Sequence, residues 1–489
     1  MRGTLAIAGS KRIALALATL VALIASASQA DAQQSGVYGH YDIYDADLLP
    51  REEYASRRSS VLASLPPRSA MLVRAAEVRV RSNDVEHEFR QRSSMLYLTG
   101  MPEPESALLL APGGVRIGDT LVREVLFVAR RNPRFESYEG ERMGPEIGAQ
   151  VTGVPVAVSY SMLPEIVAGL VPSIDTLYYD GWVHRAAYEP LTGQTYFWDS
   201  ENTAALQTHG PSVVVRDAGV ILNERRLIKS RAELALLRRA VEITMEAHRR
   251  TISEGRPGMH EYELEAIMEY TFRRLGAEDA AYPSIVGSGP NTCILHYSTN
   301  RRRTQDGELV LMDCGAEYHG YAADITRTFP ISGRFTQEQR DIYDLVLRAQ
   351  EGGIAACRKG NEFRLPHLVA MGIIAEGLMA LGIIEEESQA SRYFNHGTSH
   401  YLGLDVHDVG AQGRLRPGMV LTVEPGIYIP EGSPCDRRWW NIGVRIEDDI
   451  LVTDAAPENL SVALERTADD IEKLMARERG DAAIERRSE

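Results

Sequence analysis

Hydrophobic and polar positions change their rhythm once along this chain, near residue 225. Between about residues 41 and 217, short apolar runs at 70–73, 107–110, 125–128 and 213–215 are separated by polar or helix-like stretches. Strands interleaved with helices in this way predict an α/β domain. At residue 230 the texture turns helical. Ser230-Arg-Ala-Glu233 forms a capping box, and Leu234, Leu237, Ala240, Val241 and Met245 follow at helical spacing. That helix should run to Glu254, where Gly255, Pro257 and Gly258 end it. Further helices are expected over 260–275, 337–359 and 364–381, and strands over 309–313, 323–329, 420–424 and 444–452. Helices segregated from paired strands describe an α+β unit. The chain therefore divides into a smaller α/β domain over 41–217, a larger α+β domain over 225–466, and a charged tail over 467–489 expected to be a solvated helical extension.

The amino terminus is an address. Arg2, Lys11 and Arg12 flank a mostly apolar run over 13–27, and Ser28-Gln29-Ala30 and Ala30-Asp31-Ala32 supply small-x-small cleavage sites. This is the anatomy of a secretory signal peptide over 1–30. The apolar run is short for a hydrocarbon layer of ~30 Å, so the expectation is export with cleavage, to a periplasmic or secreted location without stable membrane association. Composition is that of a globular protein, 44% hydrophobic and 25% charged over 489 residues. A net charge of −15 lacks the basic footprint that a nucleic-acid partner requires. Cys293, Cys314, Cys357 and Cys435 show no CxxC spacing and define neither a metal site nor a disulfide framework.

Candidate chemistry lies in the second domain. Residues 309–328 read as strand, turn and strand, and a turn centred on Tyr318-His319 would make Asp313 and Asp324 directly opposed partners. Opposed residues on one face have Cβ atoms about 4.5–5.5 Å apart. Carboxylates that close repel unless one is protonated or a cation lies between them. Asp313 also ends an apolar run, where an unpaired charge is costly. A second cluster places His396, His400 and His407 among glycines, in a chain with 12 histidines in all; histidine is both a metal ligand and an acid or base. Glu424 closes another apolar strand before Pro425-Gly426, and Arg445 and Glu447 should share one face of an alternating strand. Asp313, Asp324, Glu424 and Glu447 would balance two divalent cations, with a neutral His400 completing the set. Such a pair can activate a shared water against a carbonyl. Oxygen-rich coordination favours Mn²⁺, while affinity leaves Zn²⁺ and Co²⁺ in competition.

The blocks DCGAEYHGYAADITRTFP, HGTSHYLGLDVHDVG, VLTVEPGIYI and GVRIEDDI resemble those of the pita-bread metallopeptidases, and among them the Xaa-Pro aminopeptidases (aminopeptidase P). Residues 81–112 resemble the amino-terminal domain of that family. The resemblance implies a pita-bread, creatinase/aminopeptidase-like catalytic domain behind the smaller α/β domain. It places Asp313, Asp324, His400, Glu424 and Glu447 on the five metal-ligand positions. It also implies that Glu424 takes a proton from the bridging water, that His296 and His407 face the scissile carbonyl, that His396 lines the substrate site, and that Arg445 orients the ligands. Peptides with proline second would be the substrates, and a homodimer or homotetramer the assembly. Two departures bear on the entrance: the loop between His407 and Glu424 is short, and Leu96 stands where an aromatic residue is expected in parts of the family. A prolidase restricted to Xaa-Pro dipeptides and a metal-free peptide-binding relative are the competing readings. Methionine aminopeptidase shares the fold type but lacks the amino-terminal domain.

Overall fold

The computed structural model describes residues 48–180 and 213–479, together with the backbone of the strands Arg185–Glu189 and Gln194–Trp198. The expected signal peptide over 1–30 lies outside the described residues. Two compact units emerge. The first gathers the described residues of Met1–Gln91, Thr99–Leu177 and Gly181–Val214; the second takes Arg92–Leu98, Tyr178–Asp180 and the described chain from Val215 onward. No helix among the described residues is long and apolar enough to cross a membrane.

Amino-terminal apolar runs become strands because their side chains can be buried on both faces. β1 (Ser69–Arg74), β2 (Ala107–Ile117), β3 (Thr120–Val128), β4 (Ala157–Ser159), β5 (Thr176–Asp180) and β6 (Val214–Asp217) form one sheet in the order β6-β5-β1-β2-β3-β4. Its neighbours pair antiparallel from β1 to β3, and β4 adds parallel to β3. Met71, Leu109 and Phe127 are fully buried at its centre.

The second unit opens with α1 (Gly219–Leu227) and α2 (Arg231–Glu254). Ser230 caps α2 with the expected reciprocal box: its Oγ accepts from the Glu233 N–H, and Glu233 accepts from the Ser230 N–H. α3 (Glu261–Arg274) packs on α2, and α4 (Gln337–Ala356) on α5 (Leu365–Ala380). Between these pairs lie short antiparallel ladders. β7 (Ile285–Ser288), β8 (Leu309–Cys314) and β11 (Ile325–Pro330) make one, with β9 (Ala316–Tyr318) and β10 (Tyr321–Ala322) forming the hairpin tip between β8 and β11. β12 (Val420–Val423) pairs with β15 (Asp448–Leu451), and β13 (Gly426–Ile429) with β14 (Ile442–Arg445).

The charged tail departs from expectation. Residues from Ala468 form α6 (Ala468–Arg479), which packs on α2 and buries Ala468, Ile471 and Met475. Those three positions are one helical stripe, hidden in the sequence by the charges around it. Glu472 accepts a hydrogen bond from the Phe335 N–H at 3.0 Å, and Asp469 pairs with Arg340.

Candidate metal centre

The hairpin carrying the two aspartates turns one residue later than the sequence suggested. Tyr318 pairs with Tyr321, so the turn is His319-Gly320, with φ of +49° and +80°. Positive φ at both central residues is the geometry that follows strand twist most closely, and Gly320 makes it inexpensive. The register then sets Asp313 opposite Thr326, not opposite Asp324. The aspartates nevertheless converge, because the Tyr282 hydroxyl lies 2.6 Å from Oδ1 of each. A phenol has one hydrogen, so it can donate to only one carboxylate. The other must carry a proton or meet a cation.

A second correction concerns Arg445 and Glu447, expected on one continuous strand. The chain changes ladders between them: the Ile446 N–H bonds to the Pro425 carbonyl and the Glu447 N–H to the Thr326 carbonyl. Both side chains still reach the same residue. Thr326 Oγ1 donates to Glu447 Oε2 at 2.6 Å and accepts from Arg445 Nε at 3.1 Å. Arg445 also donates to Asp313 Oδ2 and, at 3.0 Å, to the Tyr428 hydroxyl.

His400 is pinned beside β12, its backbone exchanging bonds with Thr422, and its Nδ1 faces the Tyr401 carbonyl at 3.1 Å. That leaves Nε2 to point inward, 3.3 Å from Asp324 Oδ2 and 3.7 Å from Glu424 Oε1. Asp324, His400 and Glu447 each present a ligand atom within 4.8 Å of the others. Asp313 and Asp324 are 8% and 5% exposed and Glu447 only 1%.

Crowding of buried acids governs protonation here. Burial and then the Asp313 charge raise the Asp324 carboxyl above its ordinary range. Glu447 is raised well above it by burial and by Asp324, Glu424 and Asp313. Burial pushes Glu424 up to about 7, with His400 and Arg445 pulling the other way. Burial disfavours the His400 imidazolium, yet the bond and charge of Asp324, with Glu424, carry it up to about 9. The group therefore holds protons tightly, as expected of a site shaped for positive charge.

Three other histidines stand around the cage. The His407 ring is 4.3 Å from that of His400, edge to face. His396 Nδ1 lies 3.6 Å from Glu424 Oε2, and its ring nitrogens are engaged by the Gly397 carbonyl at 2.7 Å and the Tyr428 hydroxyl at 2.9 Å. His296 is exposed and close enough to bear electrostatically on both His396 and His407. All the residues singled out from the sequence are thus gathered in one unit.

Tyr282, Thr326, Tyr428 and Asp449 were not foreseen. Asp449, raised well above its ordinary range by burial and Asp324, accepts the Asp324 N–H at 3.1 Å through Oδ2, while its buried Oδ1 has no partner. Alternation of Asp324, Thr326 and Thr328 was the one available hint of Thr326; nothing near Tyr282 in the sequence announces its role. Tyr282→Phe should cost about 1–3 kcal/mol of thermal stability, because it strips a shared donor from buried carboxyls. A melting curve unchanged from wild type would contradict that role.

Comparison with known proteins adds family context. A model of metallopeptidase family M24 matches residues 235–454, and one of the aminopeptidase P N-terminal domain matches residues 54–178. The Xaa-Pro aminopeptidase of Escherichia coli (strain K12) is 39% identical over 439 residues, covering 87% of this chain and 98% of that protein. The structure of Pseudomonas aeruginosa aminopeptidase PepP aligns with a TM-score of 0.81 at 36% identity, over 89% of this chain and 100% of the other. A variant of Escherichia coli aminopeptidase P in complex with substrate aligns with a TM-score of 0.79 at 37% identity, over 88% and 99%.

Proposed function

We propose, for a chain that belongs to metallopeptidase family M24 and to its Xaa-Pro aminopeptidases, that the buried cage binds two divalent cations and cleaves the bond between an N-terminal residue and a following proline. The observation that carries the reading is the convergence of Asp324, His400 and Glu447, with Glu424 and Asp313 beside them. The donor set fits the group: hard oxygen ligands, buried, and holding protons that cations would displace. Cations bound there would supply Lewis acidity and a water acidic enough to attack at neutral pH.

The chain's own residues then have distinct tasks. Glu424, a carboxylate at the end of β12 facing His396 and His400, would accept a proton from the attacking water and return it to the proline nitrogen as the C–N bond breaks. His296 and His407 would donate to the carbonyl oxygen as it becomes negative, a contribution often worth about 3–4 kcal/mol per donor. His396, with both nitrogens engaged, presents its ring to the proline. Arg445 positions Asp313 directly and Glu447 through Thr326. An Xaa-Pro bond has no N–H to offer, and none of these contacts asks for one.

The same reading takes Mn²⁺ as the metal, with Zn²⁺ or Co²⁺ as competitors, export directed by residues 1–30, and a homodimer or homotetramer. Cleavage of an Xaa-Pro-Pro tripeptide alongside an Xaa-Pro dipeptide tests it. The tripeptide should be the better substrate; activity on the dipeptide alone would make the protein a prolidase. Absence of both activity and bound Mn, Co, Zn or Fe after metal addition would make it a peptide-binding relative.

A further inference from the structure

We propose that the cavity on the far side of His396 is a carboxylate-binding subsite for the part of the peptide downstream of proline. The proposal rests on the Xaa-Pro reading and adds a substrate preference to it. A cavity of about 530 Å³ lies between the first turn of α5 and the segment leading into His400, with Gln412 at its edge. His396 is a shared wall: it faces Glu424 at 3.6 Å and also lines the cavity. The next stretch of backbone is shared too, since the Thr398 carbonyl accepts the Glu424 N–H at 2.9 Å. A peptide with its scissile bond at Glu424 and its proline on His396 therefore has this cavity within reach of its following residues.

The chemistry of the walls selects the ligand. The chain carries 68 acidic residues and a net charge of −15, yet no Asp or Glu lines this cavity. Arg364 does; its side chain is exposed and makes no ion pair or hydrogen bond among the described residues, so it is free to meet a ligand there. The acid nearest to it in sequence, Glu362, is taken by Arg414 at 3.1 Å. His367 commits Nδ1 to Thr398 Oγ1 at 2.9 Å, leaving Nε2 available. The amides of Asn395 and Gln412 add donors, and Phe363 and Phe394 form an apolar wall. Arg364 also precedes the 16-residue helix α5, whose amino end adds partial positive charge. An unpaired guanidinium lining an acid-free cavity that also offers imidazole and amide donors matches a carboxylate. Its source is either the C-terminus of a short peptide or an acidic side chain a few residues past proline.

The test is steady-state cleavage by the metal-loaded, full-length enzyme of Ala-Pro-Ala peptides with one to three trailing alanines. Each is compared as free acid, as C-terminal amide, and as an amide with Glu replacing one trailing alanine. At the matching length the free acid should exceed its amide by about tenfold in kcat/KM, carried by KM, as for one charge-assisted contact. Arg364→Gln should bring that ratio close to one, and Gln412→Leu should lower it in the same direction if the arginine variant does not fold. Restoration by Glu in the amide series would assign the site to acidic side chains; a response only to the free terminus would assign it to short peptides. Equal cleavage of acids and amides at every length, or a preference that survives Arg364→Gln, would overturn the subsite while leaving Xaa-Pro cleavage intact. Failure to cleave any proline-second peptide would overturn the parent reading and this one together.

Discussion

Glu424→Gln should lower kcat by about 10²–10⁴-fold, with KM changing far less. Glutamine keeps the size of the side chain and its backbone bond to Thr398, but has no carboxylate to receive a proton. Glu424 follows β12 into the cage, where its oxygens lie 3.6 Å from His396 and 3.7 Å from His400. An unchanged far-UV spectrum and metal content near that of wild type would separate lost chemistry from lost structure. A variant retaining kcat within about tenfold of wild type would remove Glu424 from the proton path.

The second large effect is the response to chelation, which should grow with pH. In the metal-free protein Glu424 is raised from 4.5 to about 7 and His400 from 6.5 to about 9. The folded form thus binds more protons than the unfolded chain across that range, so stability falls as pH rises. For Glu424 the contribution is fully present below 4.5 and lost through about 7; it is on the order of 3 kcal/mol. For His400 it is present below 6.5 and lost through about 9, with the same sign. His248 and His396, lowered by burial to about 3 and 4, act oppositely by destabilising the fold as pH falls below 6.5. Both lie beside the ligand residues, His248 at the Ile325 carbonyl and His396 at Glu424, but burial keeps both neutral in the folded protein from pH 5.5 to pH 8, so their effect should largely cancel between metal-free and metal-loaded samples compared at one pH. Cations replace the protons and gain affinity as pH rises. At a thousandfold excess over Kd they stabilise by about 4 kcal/mol. Calorimetric melting with EDTA or with Mn²⁺ should show a gap that widens from pH 5.5 to pH 8. A gap that narrows over the range would mean these groups do not form the ion site.

What the sequence made legible was whatever depends on local spacing. The Ser230 box, the long helix behind it and the apolar runs that become β8, β11 and β12 are set by neighbours a few residues apart. Five donors were visible because acids at the ends of apolar strands are conspicuous, and because their blocks resemble a known family. Register was harder. Tyr318-His319 and His319-Gly320 are both plausible turns, and the choice depends on a positive φ at His319 that alternation does not encode. The run from residue 444 to 452 looked continuous because hydrophobic alternation does not say which partner takes each half. Tyr282 and Tyr428 were invisible for another reason: each matters through one hydroxyl that meets groups brought from distant parts of the chain.

Thr326 joins β11 to the segment between β14 and β15, so the cage exists only when both have docked. Until then its donors are spread along the backbone from residue 313 to residue 447 and compete singly for any ion nearby. A cation held by all of them would accordingly be bound only late in folding.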